Sequence, residues 1–224
     1  MYDFYSDTKT KPSNAMLEYA LGRSFGDEQK DEDPTTLELC ERVARLLGKE
    51  SAVFLPSGTM CNEIAIAVQT SPGDEILCDR SCHIINLEGG APAAMSGVMV
   101  HPLDGKYGQF TEKDIMQALR PKSRHMPISR MLCAEQTVNL GGGAVWPLEK
   151  LDSVAQVAKK SGLSTHLDGA RLLNACAKTG ISAARYSREY DSCWIDFTKG
   201  LGAPVGAVLA GNAEFIEAAW RVKQ

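Results

Sequence analysis

The chain has 224 residues, 24 of them basic and 28 acidic, for a formal net charge of −4. That length suits one large α/β domain with a sizeable core, and the balanced charge with no basic run speaks against a nucleic-acid partner. No stretch approaches the ~20 apolar residues of a membrane span, and the opening MYDFYSDTKTKPS has no apolar leader, so a soluble, cytoplasmic protein is expected. Seven cysteines (40, 61, 78, 82, 133, 176 and 193) are scattered and mostly lie inside apolar runs. They form no CxxC pair, which predicts reduced, buried thiols and no metal site.

Residues 1–14 are polar and rich in Thr and Ser, and predict an arm; residues 15–224 show no internal boundary and predict one domain. A short helix is predicted over 15–20 and a charged loop over 24–33. Asp33-Pro34 then starts a helix whose apolar positions Leu37, Cys40, Val43, Ala44 and Leu47 recur at helical spacing until Gly48. A strand at 52–55 runs through Pro56-Ser57-Gly58-Thr59 into a helix at 60–68. Strand, small-residue turn and helix start make an anion cradle, though Ser and Thr are also ordinary caps. The alternation continues with strands at 75–78, 98–100, 131–134 and 164–167. Helices are predicted at 84–94 (interrupted by Gly89-Gly90), 112–119, 148–161, 170–177 and 213–222. Such alternation predicts a mainly parallel, doubly wound sheet flanked by helices.

Two stretches carry the chemistry. In 192–210, SCWIDFTKGLGAPVGAVLA, two apolar runs flank a glycine-rich loop with one lysine, Lys199. An amine held between buried strands can lose its proton and form a Schiff base with a carbonyl; an ordinary exposed loop lysine is the plainer reading. In Thr165-His166-Leu167-Asp168-Gly169-Ala170-Arg171 an apolar strand delivers Asp168 at its carboxyl end, where ligands of open parallel sheets bind. A helix cap paired with Arg171 explains the same residues structurally. Together, a lysine, a carboxylate for a ring nitrogen and a phosphate cup at Ser57, Gly58 and Thr59 match the needs of pyridoxal 5'-phosphate. His83 is the candidate to stack on its ring.

At this point the sequence resembles the low-specificity and allo-specific threonine aldolases, within the fold-type-I pyridoxal-phosphate enzymes. The resemblance covers nearly the whole chain. It rests on Ser6-Asp7-Thr8 with Thr10, Gly26-Asp27 with Glu32-Asp33-Pro34-Thr35, Ser57-Gly58-Thr59-Met60 with Asn62, and His83 with Glu88 and Gly90. It continues through His125 and Pro127, Glu135 with Asn139, His166 to Arg171, and Lys199-Gly200-Leu201-Gly202-Ala203-Pro204. It implies a fold-type-I large domain over 15–224 that binds pyridoxal 5'-phosphate on Lys199. Asp168 would meet the ring nitrogen, Ser57, Gly58 and Thr59 the phosphate, and His83 the ring face. Ser6 and Arg171 would bind the substrate carboxylate, and His125 with His83 would contact the β-hydroxyl. The implied reaction splits threonine, allo-threonine and related β-hydroxy-α-amino acids into glycine and an aldehyde. A homodimer or homotetramer with interface active sites is also implied.

Three departures qualify this. Gln29-Lys30-Asp31 replaces the family's Val-Tyr-Gly, and Gln136-Thr137-Val138 replaces its Asn-Thr-His. The family also continues for about a hundred residues into a smaller C-terminal domain with a further carboxylate-binding arginine, which this sequence is expected to lack. A related β-eliminating lyase, or a fragment that binds the cofactor without turnover, therefore stand as alternatives.

Overall fold

The computed structural model describes residues 3–224; Met1 and Tyr2 of the expected arm lie outside the described residues. Local punctuation sets the first elements. Ser13 accepts the Met16 N–H and opens α1, Asn14–Leu21. Asp33 accepts the Thr36 N–H at 2.7 Å, Pro34 takes the first helical position, and Gly48 at φ 62° closes α2, Pro34–Leu47. The alternating part follows as β1 Ser51–Leu55, α3 Gly58–Gln69, β2 Asp74–Asp79, α4 His83–Asn86, α5 Ala91–Ser96, β3 Met99–Leu103 and α6 Glu112–Ala118. After it come β4 Ile128–Glu135, α7 Leu148–Lys160, β5 Ser164–Asp168, α8 Leu172–Thr179, α9 Ala183–Ser187, β6 Ser192–Asp196, β7 Ala207–Gly211 and α10 Ala213–Lys223.

The strands form one seven-stranded sheet in the order β1-β7-β6-β5-β4-β2-β3. Neighbours from β6 to β3 pair in parallel, whereas β7 runs antiparallel to both β6 and β1. Successive strand residues face opposite sides, so the sheet feeds two cores. Leu132, Ala134, Leu167 and Ile195 pack with α2, α7 and α8 residues such as Leu47, Leu151 and Leu172. Val53, Met131, Cys133 and Trp194 pack on the other side with Cys61, Ile64, Ile216 and Ala219 of α3 and α10. With both faces covered, the middles of the central strands are largely apolar, and the buried carboxylates Glu135, Asp168 and Asp196 stand at strand ends.

Several expectations shift at their edges for identifiable reasons. The helix expected over 84–94 is two helices, because Gly89 and Gly90 take φ 63° and 75°. Of the second apolar run flanking Lys199, residues 205–210, only the part from Ala207 onward is strand. Gly206 sits at φ 110°, and a Cβ there would stand 2.4 Å from the Phe54 ring. Of the predicted α2 face only Val43, Ala44 and Leu47 are buried, while Leu37 is 40% exposed. Residues 28–30, inside the expected charged loop, form a 3-10 turn, and Glu28 pairs with Lys223 of α10. All seven cysteines are free, five of them buried. Among the described residues, no helix is long and apolar enough to cross a membrane.

Candidate active site

The carboxyl ends of β1, β4, β5 and β6 converge on a cavity of about 240 Å³, where an open α/β sheet characteristically takes its ligand. Its lining includes Ser57, Gly58, Thr59, His83, Glu135, Asp168, Arg171 and Lys199. β1 ends at Leu55, Pro56 follows, and Ser57 caps α3 by accepting the Met60 N–H at 3.2 Å. The exposed N–H groups of the first turn and the positive end of this twelve-residue helix therefore face the cavity. A Cβ on Gly58 would lie 2.2 Å from Cη2 of Trp194, so only glycine lets the turn lie against that ring.

Asp168 ends β5 and is 2% exposed. Its Oδ2 accepts from Asn62 Nδ2 at 2.9 Å and its Oδ1 from the Ala170 N–H at 3.0 Å, but no basic side chain pairs with it among the described residues. Burial outweighs those two donors and lifts its pKa above the ordinary carboxylate value. Asn62 is held from behind: its Oδ1 accepts from Trp194 Nε1 at 2.7 Å and lies 3.0 Å from His166 Nε2. Burial drives His166 down to about 3, so the ring is neutral. Nε2–H then donates to Asn62, and Nδ1 accepts from the Ser192 hydroxyl at 2.7 Å. These contacts orient the Asn62 amide so that its NH2 donates to Asp168 and, at 2.6 Å, to Glu88 Oε1.

Glu88 falls in the Gly89-Gly90 break and also meets His83 Nδ1 at 2.8 Å. This bond, more than any other influence, raises the His83 pKa above its usual 6.5. The His83 backbone N–H donates to Glu135 Oε2 at 3.0 Å. Burial, and then the charge of Asp168, push Glu135 to about 7.

Lys199 stands half-buried at the start of the β6–β7 loop with its Nζ on Asp196 Oδ2 and 5.8 Å from the Trp194 ring centre. Asp196 Oδ1 binds the Thr198 N–H and hydroxyl at 2.6 and 2.7 Å, which fixes the turn carrying the lysine. The arm closes over this region. Thr10 Oγ1 donates to the Lys199 carbonyl at 2.6 Å, Thr8 lines the cavity, and Asp7 grips Arg171 at 2.7 and 2.8 Å. That guanidinium holds the Asp7 carboxyl below its usual range.

Lys199, Asp168, Ser57, Gly58, Thr59, His83 and Arg171 thus share one cavity. Two expected residues do not. Ser6 is outside the lining and spends its Oγ on Thr8. His125 precedes β4, whereas the cavity lies at the far end of that strand, beyond Glu135. Eight strand residues span about 23 Å and three more reach back at most about 10 Å, so His125 does not join His83 within one chain. Arg171 is in place but engaged by Asp7. Residue patterns had assigned no role to Asp7, Glu63, Asn62, Trp194 or Asp196; an aspartate three before the lysine was the one visible local signal.

The donor set fits pyridoxal 5'-phosphate. A buried carboxylate without a cation suits a protonated ring nitrogen, a glycine-lined helix start suits a phosphate, and a lysine amine faces the same space. The beta-eliminating lyase family model matches residues 3–224. Low-specificity L-threonine aldolase 1 of Arabidopsis thaliana is 38% identical over 99% of this chain and 63% of its own length. The Escherichia coli low specificity L-threonine aldolase is 34% identical over 99% of this chain and 66% of its own. A solved structure of Leishmania major threonine aldolase shares the fold, with a TM-score of 0.88 at 23% identity over 100% of this chain and 66% of that one. The chain spans between 53% and 66% of the length of the first curated relatives it matches.

Proposed function

The chain belongs to the beta-eliminating lyase family, and from that premise we propose that it serves a pyridoxal-phosphate-dependent aldolase of threonine aldolase type. The proposed reaction cleaves the Cα–Cβ bond of threonine, allo-threonine or a related β-hydroxy-α-amino acid to glycine and an aldehyde. The observation that carries the proposal is that Lys199, Asp168 and the Ser57–Thr59 helix start line one cavity of about 240 Å³. When bound, pyridoxal phosphate supplies an electron sink for the pair released at the α-carbon. Lys199 would hold it covalently, Asp168 would bind its ring nitrogen, Ser57, Gly58 and Thr59 its phosphate, and His83 would lie against its ring.

Arg171 would take the substrate carboxylate in the fork that Asp7 now fills, so substrate entry exchanges one carboxylate for another. His83 has Nδ1 committed to Glu88, which leaves Nε2 to accept the β-hydroxyl proton. Because Glu88 raises its pKa, His83 becomes a free base only as pH climbs past its usual 6.5. A residue such as His125 could reach that site only from a second copy, consistent with a homodimer or homotetramer. Phe4 and Tyr5 of the arm, Leu21 of α1 and Phe25 just beyond it, each at least 84% exposed, give such a copy an apolar surface. Seven free thiols suit a reducing, cytoplasmic setting. We take residues 1–14, of which 3–14 are described, as the arm and 15–224 as the cofactor-binding domain.

The test is a spectral titration of the full chain with pyridoxal phosphate, before and after borohydride, beside Lys199→Ala. In the wild type a visible band is expected that borohydride abolishes while leaving the cofactor covalently attached; in the variant neither that band nor the attachment should appear. Threonine added to the unreduced chain should yield acetaldehyde. Ammonia and a keto acid in its place would point to β-elimination, and a band with no product to a binding-only chain.

A further inference from the structure

We propose that Glu63 is a protonated carboxyl that donates to Oε2 of Glu88, and that through Glu88 it positions His83. Glu63 follows Asn62 on α3 and is only 3% exposed, yet neither of its carboxylate oxygens meets a donor. Glu88 is 5% exposed: its Oε1 serves both Asn62 and His83, while its buried Oε2 also lacks a donor. The two carboxyl groups are neighbours: Asn62, adjacent to Glu63 on α3, donates to Glu88, and Glu88 is the side chain that acts on Glu63. Two ionised carboxylates in such a site repel without solvent to screen them. One proton between them resolves both difficulties, since it neutralises Glu63 and supplies the missing donor to Glu88.

The surrounding charges favour the same arrangement. Glu88 is the charged group that acts on Glu63, and no lysine, arginine or histidine does so among the described residues. Burial, and then Glu88, push Glu63 up to about 8. His83 in turn faces Glu88 from the α4–α5 break, Asp168 from β5 and Glu135 from β4. A hydrogen bond from Glu63 draws negative charge on Glu88 toward Oε2 and away from the imidazole. His83 therefore holds its proton less tightly than its three facing carboxylates alone would dictate. Glu63 is a positioning residue: it touches neither cavity nor ligand and acts through Glu88.

The meaning of this for turnover rests on the aldolase reading, but the test does not. It reads the His83 titration by imidazole NMR in the full chain without cofactor or substrate, where only four histidines need assignment. Glu63→Gln keeps a donor to Glu88 and should leave the His83 midpoint within about 0.2 pH unit. Glu63→Leu removes the donor and should raise it by roughly half a pH unit or more. A fall in the Glu63→Gln variant would mean that Glu63 is ionised, and an unchanged Glu63→Leu variant would mean that it is uncoupled; either overturns the proposal. Should the leucine variant not fold, Glu63→Met, which likewise carries no donor to Glu88, takes its place with the same expected rise. Isotope-edited infrared tests the proton directly: it should show a protonated-carboxyl stretch at pH 7 that Glu63→Gln abolishes, and its absence in the wild type would refute the assignment.

Discussion

Trp194 leaves no space for a side chain at position 58, and it cannot step aside. Its Nε1 is bound to Asn62 at 2.7 Å, and its carbonyl oxygen stands 2.1 Å from where a Cβ on Gly169 would be. Replacing a helical glycine by alanine ordinarily stabilises by about 0.4–1 kcal/mol through the unfolded chain. Forcing a methyl into a packed ring ordinarily destabilises by about 1–3 kcal/mol. The second effect should win, so Gly58→Ala should lower the urea midpoint and weaken pyridoxal-phosphate binding; a variant more stable than the wild type would contradict this account of the turn. At the residue scale, Lys199, Asp168 and Ser57 were legible because turn residues mark each of them at a strand end. Asp7 on Arg171 was not, since nothing local links residues so far apart in the chain. Glu63 was hidden for another reason: a glutamate in mid-helix reads as a solvated face.

α3 shows how one element couples the site to the stability of the fold. The folded chain keeps the Glu63 proton that the unfolded chain sheds above its usual 4.5. This stabilising contribution is complete below about 4.5 and is lost as pH rises through about 8. Glutamine does not titrate, so the thermal midpoint of the wild type should fall relative to that of Glu63→Gln across this window, followed by calorimetry at matched ionic strength. Parallel curves would argue that Glu63 ionises alike in both states. Glu135, raised to about 7, slopes the same way but equally in both proteins. Helices with strong stops, such as α2 between Asp33 and Gly48, were readable almost to the residue. The reversal of β7 was not, because a buried apolar run looks the same whichever way it points.

For the molecule as a whole, the two helix layers seal the sheet and its thiols. Cys61, Cys78, Cys82, Cys133 and Cys193 are buried, and only Cys40 and Cys176 are partly open. Burial raises Cys40 to about 11 and Cys193 to about 12, so little thiolate exists near neutrality. With a chromogenic disulfide reagent at pH 8, at most two thiols of the native chain should react within minutes, against all seven in denaturant. A third fast thiol would show that a layer opens. The α/β class and the helix-covered sheet followed from alternation alone, whereas the separation of His125 from His83 required knowing which end of β4 carries the cavity.

One pairing also governs the order in which this architecture can be assembled. β1, which leads into the anion cup, joins the sheet only through β7, with Ser51 opposite Gly211 and Leu55 opposite Ala207. On the ribosome β1 emerges early and then waits for nearly all the remaining described residues, while the parallel strands β2 to β5 can already associate. Closing so long a loop must precede any reward from the contacts it makes. The turn from Pro56 to Thr59 is therefore the last wall of the cavity to set, since it is held only once β7 has joined β1 to the sheet.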